Sequence, residues 1–197
     1  MANEQETKTL QDPIRINYVR LDRLLLDSEN PRFAGLSKTA TEQEILSKLQ
    51  KEMHLDELID SFEKNGFYNT EPLLVIKSKK QNDKFVVVEG NRRLAAIKTL
   101  LKSGKNIAAT LKTQLTEQIP IAIYPNRQSL WTYLGFRHIN GPQEWDSYSK
   151  AVYALGVHRD YKIPIEKLAE KIGDRHLTVV KMCNGLRVLE QAEKSGY

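Results

Sequence analysis

The run Glu89-Gly90-Asn91-Arg92-Arg93 closes a β-branched stretch, Phe85 to Val88, and opens directly into an apolar helical pattern. Glycine lets the backbone turn sharply and lets a ligand come close to it. A helix that starts at such a turn presents N–H groups and the positive end of its dipole to an anion. Arg92 and Arg93 add forked donors that match phosphate oxygens. Together these features favour a polyphosphate. Glu89 could hold a ribose hydroxyl, a metal such as Mg²⁺, or a base. The competing reading is a plain strand–helix turn whose arginines pair with acidic neighbours, and the five residues alone leave both open.

Two further groups of residues could do chemistry. Arg137-His138 stands at a predicted helix end, and His138 could hydrogen-bond a phosphate or act near a γ-phosphate, because imidazole titrates near neutral pH. The alternative is a histidine that caps the helix and packs beside Trp145; Trp131, Tyr133 and Trp145 read as core. Over 165–189, Ala169, Gly173 and Val179 have the spacing of a DNA-binding helix-turn-helix. The small alanine lets two helices cross, the glycine makes the turn, and the valine plugs the core. Ile165, Leu168, Ile172, Val180 and Leu189 would add apolar contacts. Arg175, His176, Lys181 and Arg187 could meet phosphates, and Asn184 a base edge. Acids at Glu166, Glu170 and Asp174 dilute that field, and Gly185 weakens a long second helix. A helical hairpin used for packing or homodimerisation is the alternative.

Composition narrows the classes. The chain has 197 residues, enough for one domain plus a small module. One cysteine, Cys183, excludes an internal disulfide framework and a cysteine-rich zinc site. Four scattered histidines argue against a multi-histidine metal centre. No apolar run is long enough to span a bilayer, and the polar N-terminus is no secretory signal, so a cytoplasmic protein with no membrane partner is expected. The net charge of +5 is unevenly placed: residues 1–70 carry −4, 71–113 carry +7, 114–150 are neutral and 151–197 carry +2. The excess thus surrounds the Gly90 turn, although Lys79, Lys80, Lys102 and Lys105 suit a solvated surface.

The elements that must position these residues follow from periodicity. Residues 1–12 read as a tail, 13–125 as an α/β part and 126–197 as an all-helical part, an α+β organisation with a small mixed sheet. Ile14 to Leu21 alternates as a strand, Asp22 to Leu26 suggests a turn of helix, and Asn30-Pro31 a loop. Thr41 with Glu44 forms a capping box for a helix carrying Ile45, Leu46 and Leu49. A second helix, 55–64, ends at Asn65-Gly66. Strands are expected over 73–76, 85–89 and 119–124, and a helix over 94–102. Further helices are expected over 128–138, 143–158, 165–172 and 177–192, with Tyr148, Ala151, Val152 and Leu155 facing inward in the second of these.

The segment Val86 to Lys98 resembles the Gly-Glu-Arg-Arg-x-Arg-Ala box of the ParB N-terminal domain, part of the ParB/sulfiredoxin superfamily. Ile16 to Leu24 followed by Asn30-Pro31-Arg32 resembles that family's first box, and Ile59 to Val75 its helix, Asn-Gly and Pro-hydrophobic strand stretch. The order of domain and helix-turn-helix is also the family's. The resemblance, over about residues 14–190, implies a nucleotide-binding domain for CTP or another nucleotide such as ATP, with Mg²⁺ on the phosphates. By position, Asn30, Arg32, Gly90, Asn91, Arg92 and Arg93 would line the triphosphate, with Glu89, Arg137 and His138 nearby. The nucleotide would switch binding of DNA or another partner by the helical part.

The departures are specific. Asn91 replaces the glutamate of the box, with an acid one position earlier at Glu89. His138-Ile139 replaces the Glu-Asn that opens the third box, so the carboxylate and amide tied to partition-type CTP hydrolysis and cytosine recognition are missing. Sulfiredoxin chemistry is excluded, because no cysteine stands in the turn. An NTPase or phosphotransferase is the rival expectation, with Glu29, Glu89 and His138 as candidate catalytic groups. A nuclease has less support. A partition protein would also continue into a dimerisation domain, so a fragment of a longer protein is expected.

Overall fold

The computed structural model describes residues 15–33, 40–52, 55–139, 145–172, 174 and 178–195. The chain divides into two compact units. One comprises Met1–Glu29 with Ser37–Arg127, the other Asn30–Leu36 with Gln128–Tyr197.

The first unit is built on a five-stranded mixed sheet, in the order β1-β5-β3-β4-β2. Its strands are β1 (Ile16–Val19), β2 (Leu24–Leu26), β3 (Leu73–Lys77), β4 (Phe85–Glu89) and β5 (Ile119–Tyr124). Short β-branched runs make β3 and β4, which pair antiparallel through the turn at 78–84. β2 pairs parallel with β4, Leu24 opposite Phe85 and Leu26 opposite Val87. Segments leaving the C-terminal ends of these two neighbours therefore emerge side by side. Asp22 to Leu26 is not the helical turn that the sequence suggests: a 3₁₀ turn covers Leu21–Arg23, and the leucines that follow form β2. Their strand state comes from a partner about 60 residues away, not from local pattern.

Helices α1 (Glu42–Glu52), α2 (Leu55–Asn65), α3 (Asn91–Lys102) and α4 (Ala109–Glu117) complete the unit. The capping box is present: Glu44 Oε2 accepts from Thr41 N at 2.6 Å, and Thr41 Oγ1 accepts from Glu44 N at 3.3 Å. Gly66, at φ 71°, ends α2. Leu94, Ala95, Ala96 and Ile97 of α3 are wholly buried. Burying each large apolar side chain is worth about 1.5–3 kcal/mol, so the start of α3 is firmly seated. Its Lys98 Nζ donates to Leu24 O at 3.0 Å and pairs with Glu42, tying α3 to β2 and α1.

The described part of the second unit is helical: 3₁₀ turns at Pro31–Phe33 and around Leu130, then α5 (Trp131–Ile139), α6 (Ser147–Tyr161), α7 (Ile165–Lys171) and α8 (Thr178–Lys194). Asp146 caps α6 by accepting from Ser149 N at 2.9 Å and Ser149 Oγ at 2.6 Å. The inward face of α6 is Ser149, Lys150, Ala151, Tyr153, Ala154 and Val157, whereas Tyr148, expected inward, is exposed. The whole is an α+β fold. Among the described residues no helix is long and apolar enough to cross a membrane.

Candidate functional site

Gly90 sits between β4 and α3 in the left-handed region, at φ 104° and ψ 19°. A side chain there would be strained by the backbone and would also meet Leu73 Cδ2 at 2.4 Å. Glycine is therefore required twice over. The first intrahelical bond is Leu94 N to Gly90 O at 2.9 Å. Gly90 brings no side chain to cap the helix, and no acidic residue stands in its first turn. Arg92 and Arg93 stand there instead, both half-buried. Cations at a helix N-terminus oppose the dipole by about 0.3–1 kcal/mol each, a cost that a bound anion would reverse.

Arg93 is engaged. Its guanidinium lies 5.7 Å from the centroid of the Phe67 ring and donates to the carbonyl oxygen of Glu71, with the Glu71 carboxylate at 3.7 Å. This is the acidic-neighbour pairing that the sequence left open. Asn91 is buried and its amide is used within the fold. Its Oδ1 accepts from Asp27 N at 3.0 Å, and its Nδ2 donates to Val87 O at 2.7 Å. Asn91 thus fastens the segment after β2 to the start of α3. Glu89 is half-buried at the end of β4.

Two residues with clear roles here escaped the sequence reading. Asp27 is 1% exposed, and both its carboxylate oxygens are bound by Arg127, at 2.7 and 2.8 Å. Asp27 Oδ1 also accepts from Glu29 N at 3.0 Å. Glu29 itself is exposed, with its carboxylate 3.4 Å from Arg127 Nη2. The pair joins residues 100 positions apart, so no local motif could signal it.

Four predicted nucleotide residues belong to the second unit. Asn30 is buried and forms an Asx turn, its Oδ1 accepting from Arg32 N at 3.0 Å. Arg32 is half-buried in the Pro31–Phe33 turn. Arg137 Nη1 donates to the Tyr133 hydroxyl at 3.2 Å. His138 is buried and stacks on Trp145, with ring centroids 4.5 Å apart and planes 9° from parallel. Its carbonyl accepts from Trp145 N at 2.9 Å. That arrangement matches the packing alternative for His138.

In the helix pair, Leu168, Ala169, Ile172 and Val179 are buried as the motif requires. Gly173, Arg175 and His176 lie outside the described residues. Lys181, Asn184 and Arg187 are exposed on α8, about one turn apart on one face. α8 runs unbroken through Gly185. Leu189, expected in the core, is 58% exposed, because the C-terminal half of α8 buries only Leu186. Asp174 does more than dilute charge: its buried carboxylate accepts from Val179 N at 2.7 Å at the start of α8. Cys183 is buried, and burial pushes its thiol up from the ordinary value, away from reactivity. Among the described residues no three His, Cys, Asp or Glu side chains cluster to hold a metal ion.

No protein-family model and no curated protein matches the chain. Solved structures do. One is the C-terminally truncated chromosome-partitioning protein ParB from Caulobacter crescentus complexed to the centromeric parS site, at 15% identity and a TM-score of 0.49, covering 92% of this chain and 78% of that one. The same protein complexed with CTP-gamma-S is similar at 15% identity and a TM-score of 0.42, covering 92% of this chain and 86% of that one. At these scores and identities the likeness carries no functional argument, and function is read from the chain's own residues.

Proposed function

We propose that the β4–α3 turn binds the phosphates of a nucleoside triphosphate, CTP or ATP, and that occupancy switches the binding of DNA or another partner by α7 and α8. The observation that carries this reading is the start of α3. A left-handed glycine without a capping side chain precedes a helix with two arginines and no acid in its first turn. Such an end, with its dipole and its arginine charges, favours negative charge close to the first-turn N–H groups, and a polyphosphate supplies it. The close approach that Gly90 permits, and the +7 charge of 71–113, act in the same direction. Mg²⁺ would travel on the phosphates, since among the described residues no three His, Cys, Asp or Glu side chains cluster to hold it. For the helical part, the support is the buried Ala169 and Val179 beneath exposed Lys181, Asn184 and Arg187.

The test is calorimetry of CTP and ATP, each with Mg²⁺, against the wild type and the double variant Arg92→Ala, Arg93→Ala. Binding should weaken by at least about 100-fold, as loss of two charge-assisted contacts implies, while circular dichroism shows an intact fold. Unchanged affinity for both nucleotides in a folded double variant would end the proposal.

A further inference from the structure

The Asp27–Arg127 pair lies beside two of the points where the chain passes from one compact unit to the other. These passages follow Glu29 and Arg127. Arg127 grips the Asp27 carboxylate with both terminal nitrogens and lies 3.4 Å from Glu29, so its guanidinium ties the residue before one passage to the residues before the other. The same Asp27 is held through its N–H by Asn91 Oδ1, and Asn91 is the first residue of α3. A continuous set of hydrogen bonds therefore runs from the start of α3 to both connections. Every member lies within the first unit.

We propose that Asn91, Asp27 and Arg127 form a coupling clamp, which passes the occupancy of the α3 N-terminus to the two connecting segments. This deepens the nucleotide reading and rests on it. A phosphate bound by the first-turn N–H groups restrains the backbone of Asn91. Its side chain hands that restraint to Asp27, and Arg127 shares it between the connections. The three act as positioning residues and touch no phosphate. The arrangement also accounts for an asparagine facing inward in a turn otherwise suited to an anion: its amide is the first link of the clamp.

Hydrogen exchange of the full chain, with and without saturating Mg²⁺–CTP or Mg²⁺–ATP, tests the clamp. In the wild type, nucleotide should slow exchange about fivefold or more at the α3 first turn and also at residues 27–29 and 126–128. The variant for comparison is Asp27→Asn with Arg127→Gln, which leaves no stranded buried charge. It should bind nucleotide within about threefold of wild type and keep the response at α3, but lose it at 27–29 and 126–128. Should neither nucleotide bind the wild type, the nucleotide reading fails and the clamp with it. Should nucleotide bind without a response at 27–29 and 126–128, or the double variant keep that response, the clamp alone fails. Loss of nucleotide binding in a folded double variant would make the pair part of the site and would also overturn the clamp. If the double variant does not fold, Arg127→Lys replaces it; that variant keeps the charge but loses the fork, and should reduce the response at both connections.

Discussion

Three residues at the β4–α3 turn have three different duties, and the sequence discloses them unequally. Gly90 is the most legible, since a strand running straight into a helix needs a residue that tolerates φ near 104°. Gly90→Ala should destabilise the protein by about 1–3 kcal/mol through backbone strain and the clash with Leu73. Urea unfolding measures this, and a loss near zero would mean that the turn relaxes freely. Arg93 is half legible: its charge invites phosphate, while Glu71 and Phe67 hold it in place. Asn91 is the least legible, because its use depends on Asp27, which lies 64 positions away. For the same reason no spacing rule points to Arg127, which reaches Asp27 only after β5 has been laid down.

At the scale of elements, local chemistry is read correctly where the signal is contained in one turn. The Thr41–Glu44 box and the Gly66 stop are such cases. β2 and α4 are the opposite. Three leucines carry no alternation, and α4 buries little beyond Leu115, with its Gln114 amide bonded to the backbone of Phe67. Their states come from distant partners. The N-cap of α6 offers a pH test. Burial pushes the Asp146 carboxyl up, but hydrogen bonds from Ser149 and nearby backbone N–H groups outweigh it and hold the carboxyl below its ordinary value. A folded-state pKa below the unfolded one gives stability that is full above the unfolded value and is lost as pH falls through the folded one. The wild type should therefore lose about 0.5–1 kcal/mol more than Asp146→Asn on acidification through the carboxylate range. Equal acid sensitivity in chemical denaturation at several pH values would rule this out.

The molecule as a whole consists of one sheet-based unit that carries the Gly90 turn and one helical unit with Lys181 and Arg187 exposed on α8. The α+β class and most helices are legible from periodicity, since apolar spacing is a property of each segment. The Asp27–Arg127 pair is not, because tertiary contact alone creates it. If α8 meets DNA through phosphates, Lys181→Ala with Arg187→Ala should lower the slope of log affinity against log salt by about two. Gel shifts at several salt concentrations, with and without nucleotide, give that slope. An unchanged slope would assign those residues to ordinary solvated surface.

The central claim is that the α3 N-terminus binds a nucleotide by its phosphates. Calorimetry of the wild type with CTP and ATP, with cytidine and adenosine, and with tripolyphosphate, all with Mg²⁺, tests it most directly. The account predicts measurable binding of at least one triphosphate and of tripolyphosphate, and none of either nucleoside. Binding of a nucleoside as tight as that of its triphosphate, or no binding of any phosphate compound, would contradict it.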